Sequence, residues 1–243
     1  MTSVARRKIG CVNSADITVA TTSLCRIAWH PVYRIIPSRF PTINIFDRVA
    51  SPEDFEALYQ LEAMTNNRLR DEVGELSLVP PEQRKFGPGN GPIMAAFTHL
   101  NPQGSRFSDG NYGVFYAAQE QQAAIAETRY HSGNFLRATN ERPQQLQMRV
   151  YHVEIAGQVH DASQVRPEDP LMAPDSWLAA QAYAKQLRAS GSLGIHYRSV
   201  RLPGSLCIAA FSTEILSNCR HGSQLLYQWD GKEIAEVYEK LVS

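Results

Sequence analysis

Only four cysteines occur in this 243-residue chain, Cys11, Cys25, Cys207 and Cys219, and no two of them have Cys-x-x-Cys spacing. Scattered cysteines in a chain of this length do not make a disulfide framework, so a reducing compartment, the cytoplasm, is expected. The seven histidines include no His-Glu-x-x-His run and no tight His/Cys cluster, so neither a structural nor a catalytic zinc is expected. No stretch approaches the roughly 20 apolar residues of a membrane-spanning helix. Arg6, Arg7 and Lys8 make a positive start, but Asn13, Asp16 and several Ser and Thr residues break the segment from Ile9 to Ile27, which is not the apolar run of an export signal. Net charge is lacking too. Lys plus Arg number 24 and so do Asp plus Glu, which gives no general attraction to nucleic acid or to an anionic membrane. No Gly-x-Ser-x-Gly elbow surrounds any serine, and Gly87-Pro-Gly-Asn-Gly91 lacks the Lys-Ser/Thr of a phosphate loop.

What is present is an ordinary globular composition in a chain long enough for one sizeable core. There is no internal repeat and no linker, so residues 31–243 read as one domain behind a polar, aperiodic arm over residues 1–30. A strand is expected at Val32–Ile36, ended by Pro37 and Pro41. Ser51, Pro52 and Asp54 form a capping pattern for a helix that carries Phe55, Leu58, Tyr59, Met64 and Leu69 at helical spacing and fades near Glu72. Glu62 falls on its apolar side. Residues 74–91 read as loop. Asp109-Gly110-Asn111 is a turn, and the strand Tyr112–Ala118 follows it, with Tyr112, Val114 and Tyr116 on one face and Gly113, Phe115 and Ala117 on the other. Helices are expected over 119–131 and 175–189, and strands over 146–155, 195–201, 206–211 and 224–229. Strands mixed with a few helices indicate an α+β fold, a single domain of mixed or antiparallel sheets with flanking helices.

Chemistry is most readily placed on the helix after the Tyr112 strand. Residues three and four apart share a face, so Glu127 stands with Ala123, Ala124, Tyr130 and His131. A carboxylate on a small apolar face is usually paired or working. From spacing alone, an ion pair with a nearby arginine is the more economical reading. Arg106 precedes the turn, and Tyr116 ends the strand. A guanidinium, a phenol ring and a carboxylate brought together would suit a ligand with phosphate, an aromatic ring and ribose. Their alternatives are a surface salt bridge and a core tyrosine. Tyr33 and Arg34 on the first strand, and Tyr197, Ser199 and Arg201 on one face of a later one, could line a pocket or face solvent.

The run Gly104-Ser-Arg106-Phe-Ser-Asp-Gly110, then Tyr112-Gly-Val-Phe-Tyr116-Ala-Ala, then Ala124-Ile-Ala-Glu127-Thr-Arg-Tyr-His131 resembles the RES domain family. The likeness extends back to Tyr33-Arg34-Ile-Ile-Pro and Met94-Ala-Ala-Phe-Thr-His99, and forward to Gly194-Ile-His-Tyr-Arg-Ser199-Val-Arg201. It implies a fold like that of the ADP-ribosyltransferase toxins. It also implies a bacterial toxin that consumes NAD by hydrolysis or phosphorolysis, or that transfers ADP-ribose to a protein, with NAD as substrate and no metal. The implied partner is an Xre-type antitoxin carrying a helix-turn-helix, which rather than this chain would recognise DNA. A binding module that has lost turnover is the reading of another class, and homo-oligomerisation stays open. Carried across by position, Arg34 faces the NAD pocket, Arg106 holds the diphosphate, Tyr116 packs on nicotinamide or its ribose, and Glu127 is the family glutamate. Ser199 is the family serine, with Ser205 as its rival. Two departures stand out: a longer segment before the Arg106 motif, and Phe107 where compact members carry Trp.

Overall fold

The computed structural model describes residues 22–38, 51, 54 and 73–240. Its strands are β1 (Leu24–Pro37), β2 (Phe115–Ala118), β3 (Gln144–Asp161), β4 (Gly194–Arg198), β5 (Leu206–Ala210), β6 (Leu216–Trp229) and β7 (Ile234–Lys240); its helices are α1 (Gly91–Thr98), α2 (Gln121–Ala138) and α3 (Leu178–Ala189). The strands form one mixed sheet in the order β1-β2-β5-β4-β3-β6-β7, and β1 also pairs with β3. That extra pairing closes β1, β2, β5, β4 and β3 into a ring. Two of its joints are narrow: β1 meets β2 at Tyr33–Ala118 alone, and β3 meets β4 in parallel at His160–Ile195 and Asp161–His196. The fold is α+β and a single domain, as the mix of strands and helices indicates.

The chain enters the sheet earlier than expected. β1 begins at Leu24, so residues 24–30 belong to the sheet and not to an arm. A register shift between Trp29 and Val32 hides their periodicity. Cys25, Ile27 and Trp29 pack toward one cluster on odd numbers, and Val32 and Ile36 join the same cluster on even ones. A bulge moves the phase by one residue, and a pattern of period two read across it looks random. At the Ser51 cap, the backbone N–H of Asp54 donates to Ser51 Oγ at 3.1 Å, the bond that an N-cap serine makes. The rest of that expected helix, Glu62 included, lies outside the described residues.

Two apolar clusters sit against opposite faces of the strands. Phe115 and Ala117 of β2 join the one that takes in α1, through Ile93, Met94 and Phe97. Ala118 and, partly buried, Tyr116 join the one that takes in α2 and α3, through Ala123, Ala124, Ala180 and Tyr183. The alternation read along this strand is therefore the one the fold uses. The approach of α1 to β2 is very close: a Cβ on Gly113 would stand 2.3 Å from the carbonyl oxygen of Ala96 and from Cα of Phe97. Backbone cannot move aside as a side chain can. Gly113→Ala should therefore cost about 1–3 kcal/mol, read as a lower urea midpoint at unchanged slope. An unchanged midpoint would show that α1 does not press on β2.

Candidate active site

A cleft of about 910 Å³ opens between the rim of β1, the loop 101–106, β2 and α2. Arg34, Arg106, Tyr116 and Glu127 all line it. Ser199 stands behind the lining and donates to Glu127 Oε1 at 2.7 Å. Five residues far apart in sequence are thus gathered at one place, although each has a different job.

The loop that carries Arg106 is fixed from two sides. Asn101 Nδ2 donates to the carbonyl of Gly104, where φ is +73° and a glycine is required. Gln181 Nε2 of α3 donates to the carbonyls of Ser105 and Ser108 at 3.0 and 3.1 Å. From β2, the Tyr116 hydroxyl accepts from the backbone N–H of Phe107 at 2.9 Å and shares a 2.7 Å hydrogen bond with Ser105 Oγ. Burial raises the pKa of this phenol, so it stays protonated. Tyr116 therefore presents its ring to the cleft while its hydroxyl sets the Arg106 loop. Phe107 is fully buried with its ring edge-to-face against Tyr197, at 4.9 Å between centroids, so the position that departs from the compact family pattern is a packing position.

Arg106 is buried, and its Nη1 donates to the carbonyls of Ala173 at 2.9 Å and Leu171 at 3.3 Å. Burial lowers its pKa first, and the neighbouring Tyr197 and Glu127 oppose that. It remains a cation held rigidly at the wall. Arg34 is more committed than its motif suggests. Its guanidinium lies 4.5 Å from the centre of the Phe115 ring, and Nη1 donates to the carbonyl of Tyr116 at 3.1 Å. Burial pushes its pKa down to about 10, which still leaves it charged. After the bulge in β1, Tyr33 rather than Arg34 packs on the α2 side.

Glu127 sits on α2 with Ala123 and Ala124 buried beside it, as helical spacing requires. Its other oxygen, Oε2, lies 3.8 Å from His131 Nε2, one turn later. Burial, and then the cations of Arg201 and Arg106, lower the pKa of His131. A histidine below its ordinary value is neutral at pH 7, so it leaves the charge of Glu127 in place. The expected arginine ion pair is not how this carboxylate is held: among the described residues its close partner is the Ser199 hydroxyl, and His131 is a neutral neighbour at 3.8 Å. Ser205 is equally buried but donates to Glu120 Oε2 at 3.2 Å, away from Glu127. Cys207 also lines the cleft, and burial raises its pKa far into the protonated range, so it is no nucleophile.

Buried donors without partners mark the same place. Among the described residues, four buried side-chain nitrogens have no hydrogen-bond partner, and two of them, Arg34 Nε and Trp177 Nε1, belong to residues of the cleft. A third, Arg201 Nε, lies on a guanidinium stacked over Tyr130 and paired with Asp175 at 3.7 Å. Leaving such donors unpaired costs about 1–3 kcal/mol each. Trp177 carries no motif of its own: the sequence places it inside a helix over 175–189, whereas α3 begins at Leu178 and Trp177 stands at its N-cap position.

The sequence matches the RES domain family over residues 82–230. Arg106, Tyr116, Glu127 and Ser199 fall inside that span, and Arg34 lies before it. The chain is 30% identical over 207 residues to an uncharacterized protein, y4oC, of Sinorhizobium fredii, covering 85% of this chain and 86% of that protein. Among solved structures it is similar to a chain of the M. tuberculosis MbcT–MbcA toxin–antitoxin complex, with 12% identity, a TM-score of 0.44, and 85% of this chain and 87% of that chain covered.

Proposed function

The chain belongs to the RES domain family, and on that premise we propose that it is a toxin that consumes NAD, breaking the bond between nicotinamide and ribose and passing ADP-ribose to water or phosphate. The observation that carries this reading is Glu127: a carboxylate on the cleft wall, fixed by Ser199 Oγ and beside a neutral imidazole. As nicotinamide leaves with the bonding electron pair, positive charge grows on the ribose ring. A fixed negative charge beside that ring lowers the barrier electrostatically, as it does in glycosidases. The departing group is neutral once released and needs no acid. Water or phosphate then bonds to the ribose carbon, and the proton of a water nucleophile passes to solvent.

The cations and donors around the cleft supply the grip. Arg106, whose guanidinium keeps part of its fork beyond the carbonyls it holds, suits the phosphates of the dinucleotide, which fixes the reacting bond near Glu127. The ring of Tyr116 offers a flat apolar surface to nicotinamide or its ribose. Ser199 acts through Glu127, as a positioning residue. An Xre-type antitoxin is the proposed partner and the cytoplasm the proposed place of action. Among the described residues no helix is long and apolar enough to cross a membrane.

Ser199→Ala should lower kcat about 10-fold or more, the worth of a hydrogen bond to a charged group, whereas Ser205→Ala should stay within about twofold. Equal losses in both would remove Ser199 from the site. NAD labelled on its adenine tests the acceptor. Label recovered as free ADP-ribose or its phosphate supports the proposal, and label on protein would replace it with ADP-ribosyl transfer.

A further inference from the structure

On the face of β4 turned away from the cleft, three side chains from three strands converge. The pairing registers bring them there. Cys25 of β1 lies opposite Val159 of β3, and Asp161 is two residues along on the same face as Val159. Asp161 in turn lies opposite His196 across the parallel β3–β4 joint. His196 Nδ1 is 3.3 Å from Asp161 Oδ1 and 3.9 Å from Cys25 Sγ, and all three ligand atoms lie within 4.8 Å of one another. We propose that Cys25, Asp161 and His196 bind a divalent transition metal, best matched by zinc, which clips β1, β3 and β4 together.

The donor set and its spacing fit that ion. Tetrahedral zinc, with bonds of about 2.3 Å to sulfur and about 2.0 Å to nitrogen or oxygen, holds its ligand atoms about 3.3–3.6 Å apart. The Asp161–His196 distance is already in that range, and the thiol, 3.9 Å from His196 Nδ1 and within 4.8 Å of the carboxylate, has to move inward to complete the set. Thiolate, imidazole and carboxylate together are borderline in softness, which favours zinc over magnesium or calcium. Three protein ligands leave the fourth position of such an ion to water.

The electrostatics point the same way. Burial lowers the pKa of His196, so the imidazole is neutral and its Nδ1 can be a ligand. Although burial alone would raise the pKa of Asp161, hydrogen bonds from Ser163 and the charges of His196 and Arg198 hold it below its ordinary value. Burial and the nearby Asp161 charge raise the pKa of the Cys25 thiol, and a bound cation reverses that second effect. The imidazole is held in place by Trp29, whose ring stands edge-to-face at 5.0 Å between centroids. The location has a structural use. The β3–β4 joint consists of two residue pairs, and an ion held by both strands and by β1 ties the ring at one of its two narrow joints.

The test is metal content and a sulfur signature on the whole, untagged protein. Zinc measured by mass spectrometry after dialysis should be about one equivalent per chain, falling below about a tenth in Cys25→Ser and in His196→Asn. Cobalt(II) added to the metal-free native protein should give a near-ultraviolet thiolate-to-cobalt charge-transfer band, absent from Cys25→Ser. A chelator should lower the Tm of the native chain and leave that of Cys25→Ser unchanged. Equal zinc in native and variant chains would overturn the proposal. So would a cobalt complex without the charge-transfer band, a result read on the native protein and independent of whether any variant folds.

Discussion

Replacing Glu127 with Gln should lower NAD consumption on the order of 10²-fold or more, with the fold intact. The amide is almost the shape of the carboxylate, and its oxygen can still accept from Ser199 Oγ, which now sits 2.7 Å from Oε1. What the substitution removes is the charge. A neutral His131 supplies no replacement. The loss should fall on kcat, because the interaction strengthens only as charge grows on the ribose. A Glu127→Gln chain with native melting behaviour and near-native kcat would mean that the carboxylate does not stabilise the transition state.

The second large effect is expected at Arg106. Arg106→Lys keeps the charge and loses the fork. One arm of the guanidinium is used on the carbonyls of Ala173 and Leu171, which leaves the rest of the fork to meet phosphate. A single ammonium cannot reach both the carbonyls and the ligand from the same place. The loss of a charge-assisted hydrogen bond of about 1.5–3 kcal/mol should raise KM for NAD about 10- to 100-fold, with a smaller fall in kcat. An unchanged KM would show that Arg106 serves the 171–173 loop and not the substrate.

Several parts of this design are legible in the chain and others are not, for identifiable reasons. The face of α2 that presents Glu127 follows from residues three and four apart, because Ala123 and Ala124 are small, buried and on that stripe. The alternation of β2 is equally plain, since its two faces enter two separate clusters. α1 gives no such signal. Gly91, Pro92, Ile93, Met94, Ala96, Phe97 and Thr98 are all buried, and a helix covered on every side has no polar face to set a period. β7 is missed for the opposite reason: apart from Ile234 it is an edge strand of exposed or half-exposed residues, among them Glu236, Glu239 and Lys240. The Ser199–Glu127 bond cannot be read from spacing, because it depends on where β4 ends relative to α2. Arg34 is visible as a motif, but the bulge between Trp29 and Val32 decides which face it takes.

The site itself divides between residues that meet a ligand and residues that hold others in place. Tyr116 and Gln181 fix the loop, Ser199 fixes the carboxylate, and Arg34 ties β1 to β2 through the carbonyl of Tyr116. A sequence motif records all of them alike. Only the geometry separates Ser199, which bonds the cleft carboxylate of Glu127, from Ser205, which is as buried and as polar but bonds Glu120.

The most direct measurement is nicotinamide release from NAD by the purified native chain beside Glu127→Gln, each with and without inorganic phosphate. Release by the native chain, reduced on the order of 10²-fold or more in the variant, is the predicted result, and stimulation by phosphate would identify phosphorolysis. No release by a folded native chain, or equal release by both chains, would contradict NAD cleavage at this carboxylate.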